Sequence, residues 1–365
     1  MASSLFGKNL KGDIIGGLTA SIIAIPVGLA FGEATGLGAK YGLYTAAFLA
    51  LVASFIGGTK TLMSDPTGPM TFVAAGIVAT VLPEGTEATS PIWMYLIITF
   101  VMAGAIQILL GFLNIAQYVK YIPFPVISGF MGGIGVMIVL NQLYPLMGHA
   151  NPEGGGAINI FANIGTPLSS INWESLGLGT LTIATIYLFP FITKKVPSIL
   201  VALIVGTSAY LLLGNFYNME SVATIKAFES GLPVPKLDVF GTFNWGILVD
   251  CIVPAITLAA LGMIDTLLTS VVADNLTKTK HNGNKELIGQ GLGNIVAAIF
   301  GGFPGAGSTT GTVINIKSGG TTNLSGITKG ALIFVIILVM GPYVQYIPKP
   351  VLAGILFVIG VGIVD

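Results

Sequence analysis

The sequence contains no arginine: all fifteen of its basic residues are lysine. The planar guanidinium fork that proteins commonly use to grip oxyanions is therefore missing from the whole chain. Charge of either sign is scarce, at 8% of 365 residues against about a quarter in an ordinary soluble domain, so a water-facing globular surface is excluded. Net charge is zero, which leaves no basic footprint for nucleic acid. The single cysteine, Cys251, excludes an intrachain disulfide and a cysteine-built metal centre, and reads as a small apolar residue in a span. The two histidines, His149 and His281, fall in expected loops and form no ligand cluster. No nucleophile paired with a base is apparent, so the residues do not suggest an enzyme.

What is present is hydrophobic, at 53%, and broken by 50 glycines and 19 prolines inside the apolar runs. In a membrane that pattern means close helix packing and interrupted helices. Runs of about 20 apolar residues, or fewer for a half-helix buried in protein, predict spans over 12–31, 41–58, 67–82, 91–113, 122–142, 176–193, 196–214, 244–272, 286–301, 308–317, 326–345 and 349–364. These are twelve spans, with the third and tenth too short to cross alone. With the N-terminus inside, Lys8, Lys11, Lys60, Lys120, Lys194, Lys195, Lys278, Lys280, Lys285, Lys317 and Lys329 fall on the cytoplasmic side. Only Lys40, Lys226, Lys236 and Lys349 fall outside, and the outer loops carry Glu84, Glu87, Glu153 and Glu174. This is the expected positive-inside bias. The polar start, Met1 to Asp13, then reads as a cytoplasmic end, with a cleaved leader the weaker reading.

Two spans share an opening. Tyr121-Ile122-Pro123-Phe124-Pro125-Val126, followed by Gly129 and Gly135, matches Tyr346-Ile347-Pro348-Lys349-Pro350-Val351, followed by Gly354 and Gly360, at a constant offset. An odd number of spans separates the copies, so the second enters from the opposite side. That predicts an all-α polytopic membrane protein with an inverted repeat, in which substrate sits at the midplane between broken helices. The broken helices are spans 3 and 10. Each follows a Gly-Gly pair, Gly57-Gly58 and Gly301-Gly302, and a polar stretch: Ser64-Asp65-Pro66-Thr67-Gly68-Pro69-Met70-Thr71 in one, Phe303-Pro304-Gly305-Ala306-Gly307-Ser308-Thr309-Thr310-Gly311-Thr312 in the other. Their N-termini offer backbone N–H groups, positive dipole ends and hydroxyls, which suit an anion without arginine; ordinary Ser/Thr capping is the plainer account of the hydroxyls.

Asp265 lies inside the eighth span, and a carboxylate there costs about 2.5–3.5 kcal/mol on insertion scales. Thr269, four residues on, shares its helical face. Carboxylate, hydroxyl and nearby carbonyls are hard-oxygen ligands for a small cation; sodium and a proton are the two candidates, and a hydrogen bond to a neighbouring helix is the plainer alternative. Glu33 ends the first span, where Pro26 and Gly28 interrupt the helix. Phe31 is placed to wall a pocket or simply to pack. Asp250, near the outer end of the eighth span, reads as interfacial.

The motifs Ile25-Pro26-Val27-Gly28-Leu29-Ala30-Phe31-Gly32, Asp65 to Thr71, Pro123 to Phe130 and Gly305 to Ile316 resemble the sulfate-permease (SulP) family of anion transporters, over nearly the whole chain. Within that family the likeness is greatest to the sodium-dependent bicarbonate carriers of cyanobacteria. The resemblance implies a fourteen-span, 7+7 fold whose core moves against a gate. Here it gives a core of 1–113 (spans 1–4) and 244–345 (spans 8–11), with a gate of 114–243 (spans 5–7) continued by span 12 at 346–365. Spans 13–14 and a C-terminal STAS domain are then expected to be absent, leaving about twelve of fourteen spans. The resemblance further implies sodium as coupling ion at Asp265, Thr269, Gly307 and Thr309. The anion, bicarbonate, would lie at Thr67 and Gly68 of span 3 with Phe31 beside it, against Ser308 or Thr309 of span 10. Many members carry arginine where Gly311 aligns; its absence agrees with sodium supplying the positive charge. Sodium–anion symport by elevator-like alternating access, in a homodimer in a bacterial inner membrane, follows from the same resemblance. A proton-coupled sulfate or carboxylate carrier, and a channel-like or non-transporting anion binder, are the alternatives.

Overall fold

The computed structural model of the chain describes residues 9–82, 89–121, 123–152, 157–193, 196–214, 219–242 and 245–364. Lys8, Glu84, Glu87, Ile122, Glu153, Lys194, Lys195 and Asp365, on which part of the topology and repeat reading rests, lie outside the described residues.

Each predicted span has a helix. In chain order these are α1 (Leu10–Ala34), α2 (Ala39–Ile56), α3 (Gly68–Val81), α4 (Ser90–Phe112), α5 (Phe124–Leu146), α6 (Trp173–Ile192), α7 (Ser198–Gly214), α8 (Trp245–Thr277), α9 (Gly283–Ile299), α10 (Thr309–Lys317), α11 (Leu324–Met340) and α12 (Lys349–Val364). Among the described residues, seven helical segments are long and apolar enough to cross a membrane. The third and tenth helices are the short ones expected, 14 and 9 residues. Apolar patterning does not reveal what precedes them. Two-residue strands β1 (Ser64–Asp65) and β2 (Ala306–Gly307) pair antiparallel, with Ser64 opposite Gly307 and Asp65 opposite Ala306. Pro66 and Pro304 bar helix on either approach and favour extended backbone just before them, which leaves the paired strand as the way to satisfy peptide groups inside a membrane.

The packing has a two-fold character. α1 packs on α11 as α8 packs on α4, α2 on α11 as α9 on α4, and α1 on α10 as α8 on α3; α2 and α9 pack on each other. A second group, α5, α6, α7 and α12, packs mainly within itself and meets the first through α1 and α3. Small residues set the closest approaches. A Cβ on Gly104 would lie 2.6 Å from the carbonyl oxygen of Gly291, so α4 and α9 can be this near only with glycine there. Gly135 and Gly360, equivalent positions in the two sequence copies, likewise meet where α5 crosses α12: a Cβ on Gly135 would come 2.7 Å from Gly360 O.

One face of α9 is a polar ladder whose partners the span pattern does not reveal. Glu286 Oε2 accepts the Gly58 and Thr59 amides, both at 2.8 Å, and its Oε1 accepts from Gln290 at 3.0 Å. Gln290 donates to Ser64 Oγ at 2.6 Å. Asn294 clamps Gly305 through both its carbonyl (3.1 Å) and its amide (2.9 Å) and reaches Gln107 at 2.8 Å. At four-residue spacing these side chains line one helix face and supply partners to backbone that the strand interruptions leave without a helix.

Lys329 requires a correction. Counted above among cytoplasmic lysines, it sits inside α11, fully buried, with Nζ 2.5 Å from Asp65 Oδ1 and donating to Ser64 O at 2.8 Å. A lysine at such a place is stable only against a counter-charge, which Asp65 provides. Outside the spans, Lys236 lies over the Trp93 ring at 4.1 Å, and burial, with Lys40 adding repulsion, draws its pKa below the usual lysine range.

Candidate anion and cation site

The pairing of β1 with β2 sets the geometry of the site. Because the strands run antiparallel, α3 and α10 leave the crossing in opposite directions and their N-terminal ends come together at it. Ser308 N donates to Met63 O at 2.7 Å and Met63 N to Thr312 Oγ1 at 2.9 Å, which locks the two approaches to each other. Gly305 is required here, since a Cβ on it would run into the Asp65 carbonyl.

The two helix heads are finished differently. At α10, Ser308 Oγ accepts the Gly311 amide at 3.2 Å, an ordinary cap. Thr309 and Thr310 stand exposed at that end. At α3, Thr67 is the N-cap but makes no capping hydrogen bond; its Oγ1 and that of Thr71 are buried and without partners. Pro69 occupies the first turn, where its missing N–H forfeits nothing. Gly68 has no side chain, and the space a Cβ would take is bounded by Ile138, Ile363 and the Phe31 ring, the last at 3.9 Å. Phe31, Thr67 and Gly68 thus come together, with Phe31 buried at the edge.

α8 lays one polar face against this crossing. Thr266 Oγ1 accepts the Gly307 amide at 3.1 Å, and the Thr269 hydroxyl lies 2.9 Å from Gly307 O and 2.9 Å from Thr309 Oγ1. Ser270 meets Thr59 at 3.0 Å. Asp265 is half-buried; its Oδ2 is enclosed and has no partner, and the Thr67 hydroxyl stands beside it without closing a hydrogen bond. Along α8, then, an enclosed and unpartnered Asp265 oxygen stands beside Thr67, and one turn on the Thr269 hydroxyl meets Gly307 O and the Thr309 hydroxyl. They offer oxygen only. Among the described residues no group of three or more His, Cys, Asp or Glu side chains forms, and oxygen donors of this kind suit a hard cation.

Of the residues singled out from the sequence, Thr269, Gly307 and Thr309 meet through hydrogen bonds, Phe31 lies near Gly68, Asp265 stands beside Thr67, and the Ser308 hydroxyl caps α10, while Glu33 lies apart at the head of α2. The sequence reading missed the scaffold beneath them. Asp65 and Lys329 form the buried ion pair already described, and Asp65 Oδ2 would lie 3.1 Å from a Cβ at Gly311. Lys329 falls inside its own predicted span, and that alone calls for an acidic partner. Thr266, Gln290 and Asn294 carry the same signal, polar residues at helical spacing inside an apolar run.

Opposed half-helices, a carboxylate inside an apolar helix and glycine-spaced packing define a polytopic membrane protein of the broken-helix class. More particularly, the chain belongs to the sulfate permease family, whose model matches residues 10–365. It is 45% identical over 98% of its length to the bicarbonate transporter BicA of Picosynechococcus, and 43% identical over 98% to that of Synechocystis. It spans 62% of the length of each of these relatives. The solved transmembrane domain of a cyanobacterial bicarbonate transporter BicA superposes with a TM-score of 0.91 at 41% identity, covering 100% of this chain and 91% of that one.

Proposed function

We propose that this chain carries bicarbonate across a bacterial inner membrane together with sodium, by elevator-like alternating access. The observation that carries the reading is the enclosed Asp265 Oδ2, without a partner, beside Thr67 at the α3 head, on the helix whose Thr266 and Thr269 hold the approach to α10. Sodium binds to Asp265, Thr269, Gly307 O and Thr309. With that charge in place the α3 and α10 heads, Thr67, Gly68 and Thr309, hold a monovalent anion against Phe31, while Ser308 keeps the α10 head capped. Without sodium, bare Asp265 repels the anion, which couples the two fluxes. The names of the BicA relatives support bicarbonate as the anion.

The same reading takes α1–α4 and α8–α11 as a moving core and α5–α7 with α12 as a gate, related by an inverted repeat. The two-fold packing relations, the antiparallel β1–β2 crossing and the Gly135–Gly360 contact support it. The N-terminus is cytoplasmic in this reading; without Lys329 the lysine bias is still ten to four. A homodimer is the assembly implied by the family resemblance.

Thr269 tests the cation half. Thr269→Val keeps the shape, removes one oxygen and leaves Gly307 O without its donor. It is expected to raise the sodium concentration for half-maximal uptake about tenfold, roughly the worth of one hydrogen bond to a charged group, with the anion KM unchanged at saturating sodium. An unchanged sodium dependence would remove Thr269 from the site. Replacing sodium with choline across a pH step separates this from proton coupling, which would leave uptake following the pH gradient alone.

A further inference from the structure

Away from Asp265, a cavity of 380 Å³ lies where the C-terminal ends of α1 and α5 meet the heads of α6 and α12. Glu33, Gln142, Asn151, Ser175, Lys349 and Leu352 are among its lining residues. Ala223 also lines it, on a strap pinned to the start of α12: Lys349 N donates to Ala223 O at 2.8 Å and Ile225 N to Ile347 O at 3.1 Å.

Several polar groups here have hydrogen-bonding capacity that the protein does not use. Ser175 is fully buried; its amide is held by the Asn172 side chain at 2.9 Å, but its Oγ has no partner. Asn151 Oδ1 is likewise buried without a partner, and an amide can turn either end to a ligand. Lys349 Nζ pairs with Glu33 Oε2 at 3.2 Å, yet the lysine side chain is 43% exposed and retains further N–H donors. Glu33 has a second anchor, since its Oε1 accepts the Ala39 amide at 3.0 Å at the head of α2. Lys349 can therefore be drawn toward another anion without leaving Glu33 orphaned. The heads of α6 and α12 add positive dipole ends to the same space. His149 is turned to the Ser170 carbonyl at 2.6 Å.

We propose that this cavity is a second binding site, for a small monovalent oxyanion, held by the Lys349 ammonium, the Ser175 hydroxyl and the Asn151 amide. The volume takes a bicarbonate-sized ion with part of its hydration shell. A dianion is disfavoured, because a single ammonium faces it and Glu33 stands beside. Binding needs no sodium, in contrast to the Asp265 site, since Lys349 supplies the positive charge. On the transport reading given above, on which this consequence rests, Glu33–Lys349 ties the moving α1 to the gate helix α12. An anion that takes Lys349 loosens that tie, so the occupied cavity favours motion.

The test is calorimetric titration of choline bicarbonate, with HEPES as the only other anion, into the protein in nanodiscs free of sodium. The wild type is expected to show binding. Lys349→Met is expected to weaken it about tenfold and Ser175→Ala about threefold, the latter with the Glu33 ion pair intact. No sodium-free binding in the wild type, or equal affinity in both variants, would overturn the inference. Exchanging choline for sodium in the same preparation adds the Asp265 component. That component is expected to survive both substitutions, and its absence alone would sink the transport reading while leaving this site standing.

Discussion

Asp265→Asn is expected to lose sodium-driven bicarbonate uptake while the protein still folds. The substitution keeps size and shape, and the oxygen it replaces makes no hydrogen bond, so little structural support is removed. What disappears is the only carboxylate in the proposed cation site. One unit charge acting over about 4 Å at an effective dielectric near 20 is worth about 4 kcal/mol, which is between two and three orders of magnitude in sodium affinity. The measurement is initial uptake into proteoliposomes as a function of sodium, beside a thermal melt of the same preparation. A normal melt with uptake that no longer responds to sodium is the expected pair of results. Uptake with an unchanged sodium dependence would place the coupling charge elsewhere.

The second large effect lies in the scaffold. Lys329→Met leaves Asp65 as a buried charge with no counter-ion, at the point where β1 turns into α3. Breaking a buried pair by removing one partner typically costs about 3–5 kcal/mol. A marked fall in thermal midpoint, or loss of folded protein, is expected. Asp65→Asn alone strands the ammonium and is expected to behave similarly. The double substitution Asp65→Asn with Lys329→Met removes both charges, and replacing a buried pair with neutral groups is often near neutral. It is therefore expected to recover most of the lost stability. If the double variant is as unstable as the sum of the singles, the two residues do not act as a pair. If it is stable but transports slowly, the pair positions the α3 head as well as holding the fold.

The helices themselves were legible because a bilayer admits few alternatives. Apolar length, with lysines clustered between runs, located the twelve long or broken ones but not the short helices Ala157–Ala162 and Gly165–Ser169, which lie in an expected loop, and the shortness of spans 3 and 10 together with Pro66, Pro69 and Pro304 marked those two as interrupted. Asp265 and Thr269 were singled out for the same reason: a carboxylate inside an apolar run needs a partner, and Thr269 shares its face. The strand crossing was not legible. Two residues of pairing leave no periodicity, and whether Ser64 lies opposite Gly307 depends on contacts more than two hundred positions apart. Lys329 was misplaced because a lysine near a span end was read as a loop residue, when its partner Asp65 belongs to a different element. The α9 ladder was overlooked for a related reason. Glu286, Gln290 and Asn294 look like interruptions along the sequence, and only the fold shows that Glu286 and Asn294 meet backbone lacking helical partners while Gln290 links Glu286 to the Ser64 hydroxyl.

These scaffold groups also fix how charge is arranged about the site. Asp65 is matched by Lys329, and Glu286 is held by two amides and Gln290. Asp265 has no such partner, so it is the carboxylate near the crossing that remains for a mobile cation. On the proposed sodium-coupled reading the absence of arginine is intelligible, because a fixed positive charge at the same place would make sodium redundant.

The most direct test of the central claim is uptake of labelled bicarbonate into proteoliposomes with and without an inward sodium gradient. The account predicts accumulation above equilibrium that requires the gradient and collapses when choline replaces sodium. Accumulation that ignores sodium, or uptake of sulfate or a carboxylate with none of bicarbonate, would contradict it.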